Sequence, residues 1–158
     1  MRLDRTDLRI LRALQDDAGQ SNVDLARRVG LSPSACLRRV KAQEAAGVIR
    51  GRTAIVDPAA VGLPISIFLQ VTLDRQIEAN LDRFESAIAD WPEVVECYLM
   101  TGDADYLLRV VAPDLDAYHR FLMDRLTKVD GVASIKSSFA LKQIKYAAAL
   151  PIPEIASP

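Results

Sequence analysis

Cysteine and histidine are nearly absent from this chain, which holds two cysteines and one histidine in 158 residues. Cys36 and Cys97 fall in segments read below as a helix of one domain and a strand of another, so no bridge between them is expected. Neither has a second Cys or His at metal-ligand spacing, and no metal site is assigned. His119 sits in a helical pattern without a triad partner, the ordinary position of a surface or half-buried histidine. With no nucleophile, base or cofactor loop in view, no catalytic residue is assigned and the expectation is a protein that is not an enzyme and has no cofactor. Long apolar runs are also missing: no stretch of about 18 uncharged apolar residues occurs. Met1-Arg2-Leu3-Asp4 lacks the apolar stretch of a secretory signal. A cytoplasmic chain with no membrane partner is expected.

What is present is enough apolar material, 50% of residues, to fill one ordinary core or two small ones. The net charge of -1 conceals a division. Residues 1–57 carry 11 Lys/Arg against 7 Asp/Glu, a net of +4, and residues 58–158 carry 9 against 14, a net of -5. A basic front and an acidic back suggest that only the first part meets a polyanion.

Leu8, Leu11 and Leu14, with Ile10, recur at three- and four-residue spacing, predicting a helix from Asp4 to about Asp17 that ends near Gly19. Ser21 is an N-cap with Asp24 three residues on, and Leu25, Ala26 and Val29 supply the inner face of a second helix that stops at Gly30. Gly30 suits the positive φ of a tight turn, and Leu31 plugs the space between helices. Ser32-Pro33 then opens a third helix, with Cys36, Leu37 and Val40 expected inward and Gly47 as its end. Two helices joined by a short Gly-containing turn make a helix-turn-helix. Outward lie Ser34, Ala35, Arg38, Arg39 and Lys41. With Ser32 at the helix start, small polar groups followed by cations are what a groove-reading helix needs: Ser34 and Arg38 at base edges, and Arg39, Lys41 and Arg27 or Arg28 at phosphates. A solvated charged face of a three-helix bundle would use the same residue types. Val48–Val56 has strand character before Asp57-Pro58 and reads as a short wing or linker strand, where Arg50 and Arg52 touch phosphate or line a solvated hinge.

From Pro64 the period changes to two. Ile65, Ile67, Leu69, Val71 and Leu73 alternate with Ser66, Phe68, Gln70 and Thr72 in a first strand. Ile77, Leu81, Phe84, Ile88 and Trp91 form a helix stripe closed by Pro92. A hairpin follows, Val94–Met100 and Asp105–Ala112, turning at Thr101-Gly102-Asp103-Ala104. Asp114 caps a helix with Leu115, Tyr118, Leu122 and Leu126 inward, and Val132–Lys142 reads as a last strand. The order β-α-β-β-α-β is the ferredoxin-like arrangement, with both helices on one sheet face. The other face carries apolar side chains that self-association would cover, which would also supply the two-fold symmetry of paired DNA half-sites; a thicker monomeric core under the C-terminal tail would use the same residues. In the hairpin turn, Gly102 permits close backbone approach and Asp103 or Asp105 offers an acceptor for an ammonium group. An ordinary turn uses the same residues for their backbone preferences.

Leu31-Ser32-Pro33-Ser34-Ala35-Cys36-Leu37-Arg38-Arg39-Val40, the later Gly102-Asp103-Ala104-Asp105-Tyr106-Leu107-Leu108 and the domain order resemble the Lrp/AsnC regulators, the leucine-responsive or feast/famine family. The resemblance runs from about Leu3 to Leu150. It implies an α+β chain with an N-terminal winged helix-turn-helix domain, residues 3–64 with a linker strand. A ligand-sensing and dimerising ferredoxin-like regulatory domain of amino-acid metabolism (RAM) would span 65–150, followed by a tail at 151–158. It further implies an amino-acid effector, leucine or another small amino acid, bound between subunits of a homodimer or octamer. The site would draw on Met100, Thr101, Gly102, Asp103, Asp105 and Tyr106, with Ser137 or Ser138 of the last strand. Gln43 departs from the family, standing where the recognition helix commonly ends in Leu-Glu. The tail from Lys145 through Pro153 is similar to that of leucine-type members controlling amino-acid degradation.

The expectation is a sequence-specific regulator that binds double-stranded DNA and whose assembly or affinity responds to a small amino acid. Two rivals remain: an amino-acid-binding regulatory subunit of a metabolic enzyme, and a helix-turn-helix that docks protein.

Overall fold

In the computed structural model, which describes residues 2–153, the chain forms two compact units. One comprises residues 2–55 with 144–153, the other residues 56–143. Residues 56–64 thus cluster with the second unit, and 144–150 with the first, across the sequence-based boundaries at 64 and 150.

The first unit holds α1 (Arg5–Asp16), α2 (Asn22–Val29) and α3 (Pro33–Ala45). Each begins at the cap its sequence provides. Asp4 accepts the Asp7 N–H at 2.8 Å while the Asp7 carboxylate accepts the Asp4 N–H at 3.0 Å, a reciprocal capping box. Ser21 accepts the Asp24 N–H, and Ser32 accepts the Ala35 N–H ahead of Pro33 at the first helical position. Gly30 ends α2 at φ 70°, ψ 40°, and the Leu31 N–H returns to the Ala26 carbonyl at 2.9 Å. Asn22 Nδ2 donates to the Pro33 carbonyl at 2.8 Å, joining the starts of the two helices of the motif. Ile10, Leu14, Leu25, Val29, Cys36 and Val40 fill the core.

Two expectations fail here. Leu37 is exposed, because the inner stripe of α3 runs Cys36, Val40, Gln43, and a residue one step from Cys36 is turned about 100° away. Residues 48–57 form no strand: no second segment among the described residues lies alongside to take their backbone hydrogen bonds. Beyond the second unit, Leu150 donates its N–H to Gln15 Oε1 at 2.7 Å and accepts Gln15 Nε2 at 3.0 Å. Arg12 meets the Ile152 carbonyl at 3.2 Å, so the end of the described chain lies along α1.

The second unit runs β1 (Ile65–Leu73), α4 (Glu78–Ile88), β2 (Val94–Leu99), β3 (Tyr106–Ala112), α5 (Leu115–Asp124), a 3-10 turn (Leu126–Lys128) and β4 (Val132–Phe139). The sheet order is β2-β3-β1-β4, antiparallel throughout, as the ferredoxin-like reading requires. Ile67, Leu69 and Val71 face Phe84 and Ile88 of α4 and Tyr118 and Phe121 of α5, with both helices on one side. The opposite face carries Phe68, paired with Arg109 of β3 and Ser138 of β4. Arg109 there bonds Glu96 at 2.7 Å and Ser66 at 3.2 Å. Ile77 and Leu115, both expected inward, are exposed. Each sits at a helix start, Ile77 as the extended N-cap and Leu115 as the first helical residue, so the 3.6-residue stripe begins after them. The last strand stops at Phe139, three residues before the expected end.

Gly30→Ala is expected to destabilise the first unit by about 1 kcal/mol, the cost of a Cβ at positive φ. A Cβ there meets only Arg9 Nη2 at 3.6 Å, so strain rather than collision sets the effect. Urea unfolding should show a lower midpoint at unchanged slope.

Candidate functional site

α3 turns by about 100° per residue, which places Ser34, Leu37, Arg38 and Lys41 within a single arc of about 100°, opposite Cys36, Val40 and Gln43. All four outward residues are exposed. Arg38 and Lys41 make no ion pair among the described residues. Ser32 is held at the helix start with its Oγ 3.3 Å from that of Ser34, and Ala35 is half-buried beside them.

Arg39 is placed differently. Its guanidinium bonds Asp4, the N-cap of α1, and Asp7 within that helix, both at 2.8 Å, leaving the Arg39 side chain 34% exposed and that of Asp7 at 5%. Gln43, fully buried, donates to Asp7 from Nε2 at 3.2 Å, while its Oε1 has no partner among the described residues. The carboxylates in turn hold the Arg39 guanidinium charged. Arg27 pairs with Asp24 at 3.0 Å and Arg28 with Asp16. Arg52 pairs with Glu44 at 3.1 Å, and Arg50 is exposed. Pairs as open as those of Arg27, Arg28 and Arg52 are worth about 0–1 kcal/mol and exchange readily for another anion. The Asp7 pair is too buried to do so.

The β2–β3 turn is split between an open and a closed half. Met100, Thr101, Gly102 and Asp103 are exposed, and Gly102 takes φ +123° with open space where a Cβ would project. Asp105 is 3% exposed. Its Oδ2 accepts the Leu73 N–H at 2.6 Å, its Oδ1 accepts Gln76 Nε2, and its own N–H reaches the Val71 carbonyl at 2.9 Å. The Asp105 carboxylate therefore closes the end of β1, and Asp103 is the carboxylate of the turn open to solvent. Tyr106 is likewise buried, stacked 4.5 Å from Phe84 with its hydroxyl donating to Glu85 at 2.8 Å; burial pushes that hydroxyl far above its ordinary pKa. Glu85 escaped the sequence reading because nothing in its helix marks it. It edges a depression of about 430 Å³ between α4 and β2. Ser137 and Ser138, adjacent in a strand, point to opposite faces. Ser137 bonds the Tyr118 hydroxyl at 2.5 Å and borders a second depression of about 330 Å³, while Ser138 lies on the helix-free face. Among the described residues no cluster of three metal-ligating side chains occurs, and no helix is long and apolar enough to cross a membrane.

A helix-turn-helix with an outward cationic helix, attached to a ferredoxin-like unit, defines a class of two-part transcriptional regulators. Comparison with known proteins specifies which. Residues 3–50 match the winged helix-turn-helix DNA-binding family and residues 66–150 the Lrp/AsnC ligand binding domain. The Bkd operon transcriptional regulator of Pseudomonas aeruginosa is 49% identical over 150 residues, covering 95% of this chain and 98% of that one. The leucine-responsive regulatory protein of Rhizobium meliloti is 41% identical, covering 92% and 93%. Among solved structures, a Neisseria meningitidis transcriptional regulator in complex with L-Met has a TM-score of 0.86 at 41% identity, covering 95% of this chain and 97% of that one. The chain belongs to the Lrp/AsnC family of transcriptional regulators.

Two measurements check the carboxylates, Asp105 buried and Asp4 exposed. Asp105→Asn should cost about 2–3 kcal/mol in urea unfolding, since an amide cannot accept both bonds that the carboxylate takes. The Asp7 N–H and then Arg39 hold the Asp4 carboxyl below its ordinary range, against partial desolvation. Stability from Asp4 is therefore complete above its unfolded pKa of 3.8 and lost as pH falls through the lower folded value. Asp4→Asn keeps the cap and should flatten the acid limb of stability against pH below about 4.

Proposed function

We propose that this protein is a sequence-specific DNA-binding regulator of amino-acid metabolism whose assembly or DNA affinity responds to a small amino acid bound at a subunit interface. The observation that carries it is the outward arc of α3, where Ser34, Arg38 and Lys41 stand exposed and neither cation has an ion-pair partner among the described residues. On duplex DNA, Ser34 and Arg38 meet base edges, Ser32 and Ala35 allow close approach of the helix start, and Lys41, Arg27 and Arg28 meet phosphates. Arg39 contributes mainly by setting the helix, since its guanidinium is already shared by two carboxylates.

Support for an effector comes from the matched ligand-binding family and from the L-Met complex of the Neisseria regulator. Met100, Thr101, Gly102 and Asp103 present an open turn in which Asp103 accepts an ammonium group and Gly102 admits backbone N–H groups to a carboxylate. Asp105 and Tyr106 shape that turn from beneath, and Ser137 or Ser138 adds a hydroxyl from β4. The helix-free sheet face, with exposed Phe68 and Tyr98, pairs with a second copy, giving a homodimer from which an octamer can be built. Effector at a boundary between copies then shifts the population of assemblies, and with it the number of α3 helices that reach DNA together.

Binding of the full chain to a duplex selected from a random pool, followed by fluorescence anisotropy, should weaken steeply with salt; a flat log-log plot overturns the proposal. Lys41→Ala should reduce that slope by about 1 per copy, whereas Arg38→Ala should cost about 1–3 kcal/mol on the selected sequence and little on random DNA. Calorimetry against the twenty amino acids should find one or more effectors whose binding Asp103→Asn weakens while unfolding stability stays unchanged.

A further inference from the structure

We infer that Leu37 is a base-reading side chain of this regulator, seating its methyl groups on the C5-methyl of a thymine in the major groove beside the base pair that Arg38 reads. This deepens the proposed DNA-binding function and rests on it.

A single exposed leucine is ordinary on a protein surface, so exposure alone says little. Position says more. Leu37 is 42% exposed and belongs neither to the core of the first unit nor to the partly buried shell formed by Leu31 and Ile49. It lies on the outward arc of α3 with Ser34 one turn before it, Arg38 beside it and Lys41 one turn after. An aliphatic group flanked by two cations with no ion-pair partner among the described residues is poorly suited to an apolar protein partner, which would have to strip water from Arg38 and Lys41. A polyanion satisfies those cations, and the charge of the arc selects it. Phosphate offers nothing to a leucine. The apolar feature displayed on the major-groove edge of the base pairs is the thymine methyl. Leu37 also sits in the first half of the helix, the part that approaches base edges when a helix-turn-helix docks. One arc thus holds two complementary readers: a guanidinium suited to guanine O6 and N7, and a branched aliphatic suited to the methyl of a neighbouring thymine.

The test uses the full chain and a duplex it selects from a random pool. Each thymine is replaced in turn by deoxyuridine, which removes only the C5-methyl. Wild-type protein should lose about three- to tenfold in affinity at one thymine of each half-site, with the salt slope unchanged. In Leu37→Ala the thymine and uracil duplexes should bind equally, and Leu37→Met, which restores an aliphatic contact, should recover most of the discrimination. Since Leu37 packs in neither core set, thermal unfolding of both variants should match wild type. The inference is overturned if no uracil substitution weakens wild-type binding, or if Leu37→Ala keeps the wild-type preference for thymine. A wild-type protein that selects no duplex and shows no salt dependence overturns the DNA-binding reading itself, a result distinct from selected, salt-sensitive binding that ignores the methyl.

Discussion

A carboxylate removed from water needs partners, and in the first unit Asp7 obtains them from all sides. Its oxygens take the Asp4 N–H, the Arg39 guanidinium and the Gln43 amide, so one side chain joins the start of α1 to the middle and the end of α3. Removing Arg39 would leave a nearly buried charge, far costlier than losing a surface pair. Because Arg39 and Gln43 are drawn toward α1 together with Cys36 and Val40, the rotation of α3 about its axis is set. Ser34, Leu37, Arg38 and Lys41 are left facing out. The outward arc is thus a consequence of an inward ion pair.

The second unit solves a similar problem with Asp105. Its carboxylate receives the Leu73 N–H and the Gln76 amide, and its backbone N–H reaches Val71, so the β2–β3 turn is fastened to the end of β1. A turn held at its base can leave Thr101, Gly102 and Asp103 free above it, the division between support and contact expected of a ligand-binding loop. Tyr106 continues the support, buried against Phe84 and bonded to Glu85.

Much of the fold was legible residue by residue because its determinants are local. Caps act over three residues, as Ser21, Ser32 and Asp114 do. Gly30 needs only its own φ, and the alternation of β1 shows in its own sequence. Errors arose where a periodic stripe was extended past its element. Ile77 and Leu115 stand at helix starts, and Leu37 sits one residue from the true inner stripe, displaced because polar Gln43 rather than an apolar residue completes it. Strand character in residues 48–57 came to nothing, since β-propensity is realised only against a neighbour.

By itself, the sequence determined the order of the helices and of the four sheet strands, the helix-turn-helix with its cationic face and the β-α-β-β-α-β pattern, all written in near-neighbour spacings. The tertiary structure decided which of those charged groups are free. Arg39 meets Asp7 across 32 residues of chain, as Asp105 meets Leu73, and nothing in either local stretch announces the partner. Identical side chains along one helix or one turn are left exposed or become braces according to what lies opposite them, because burial and pairing are properties of three-dimensional neighbours rather than of spacing along the chain.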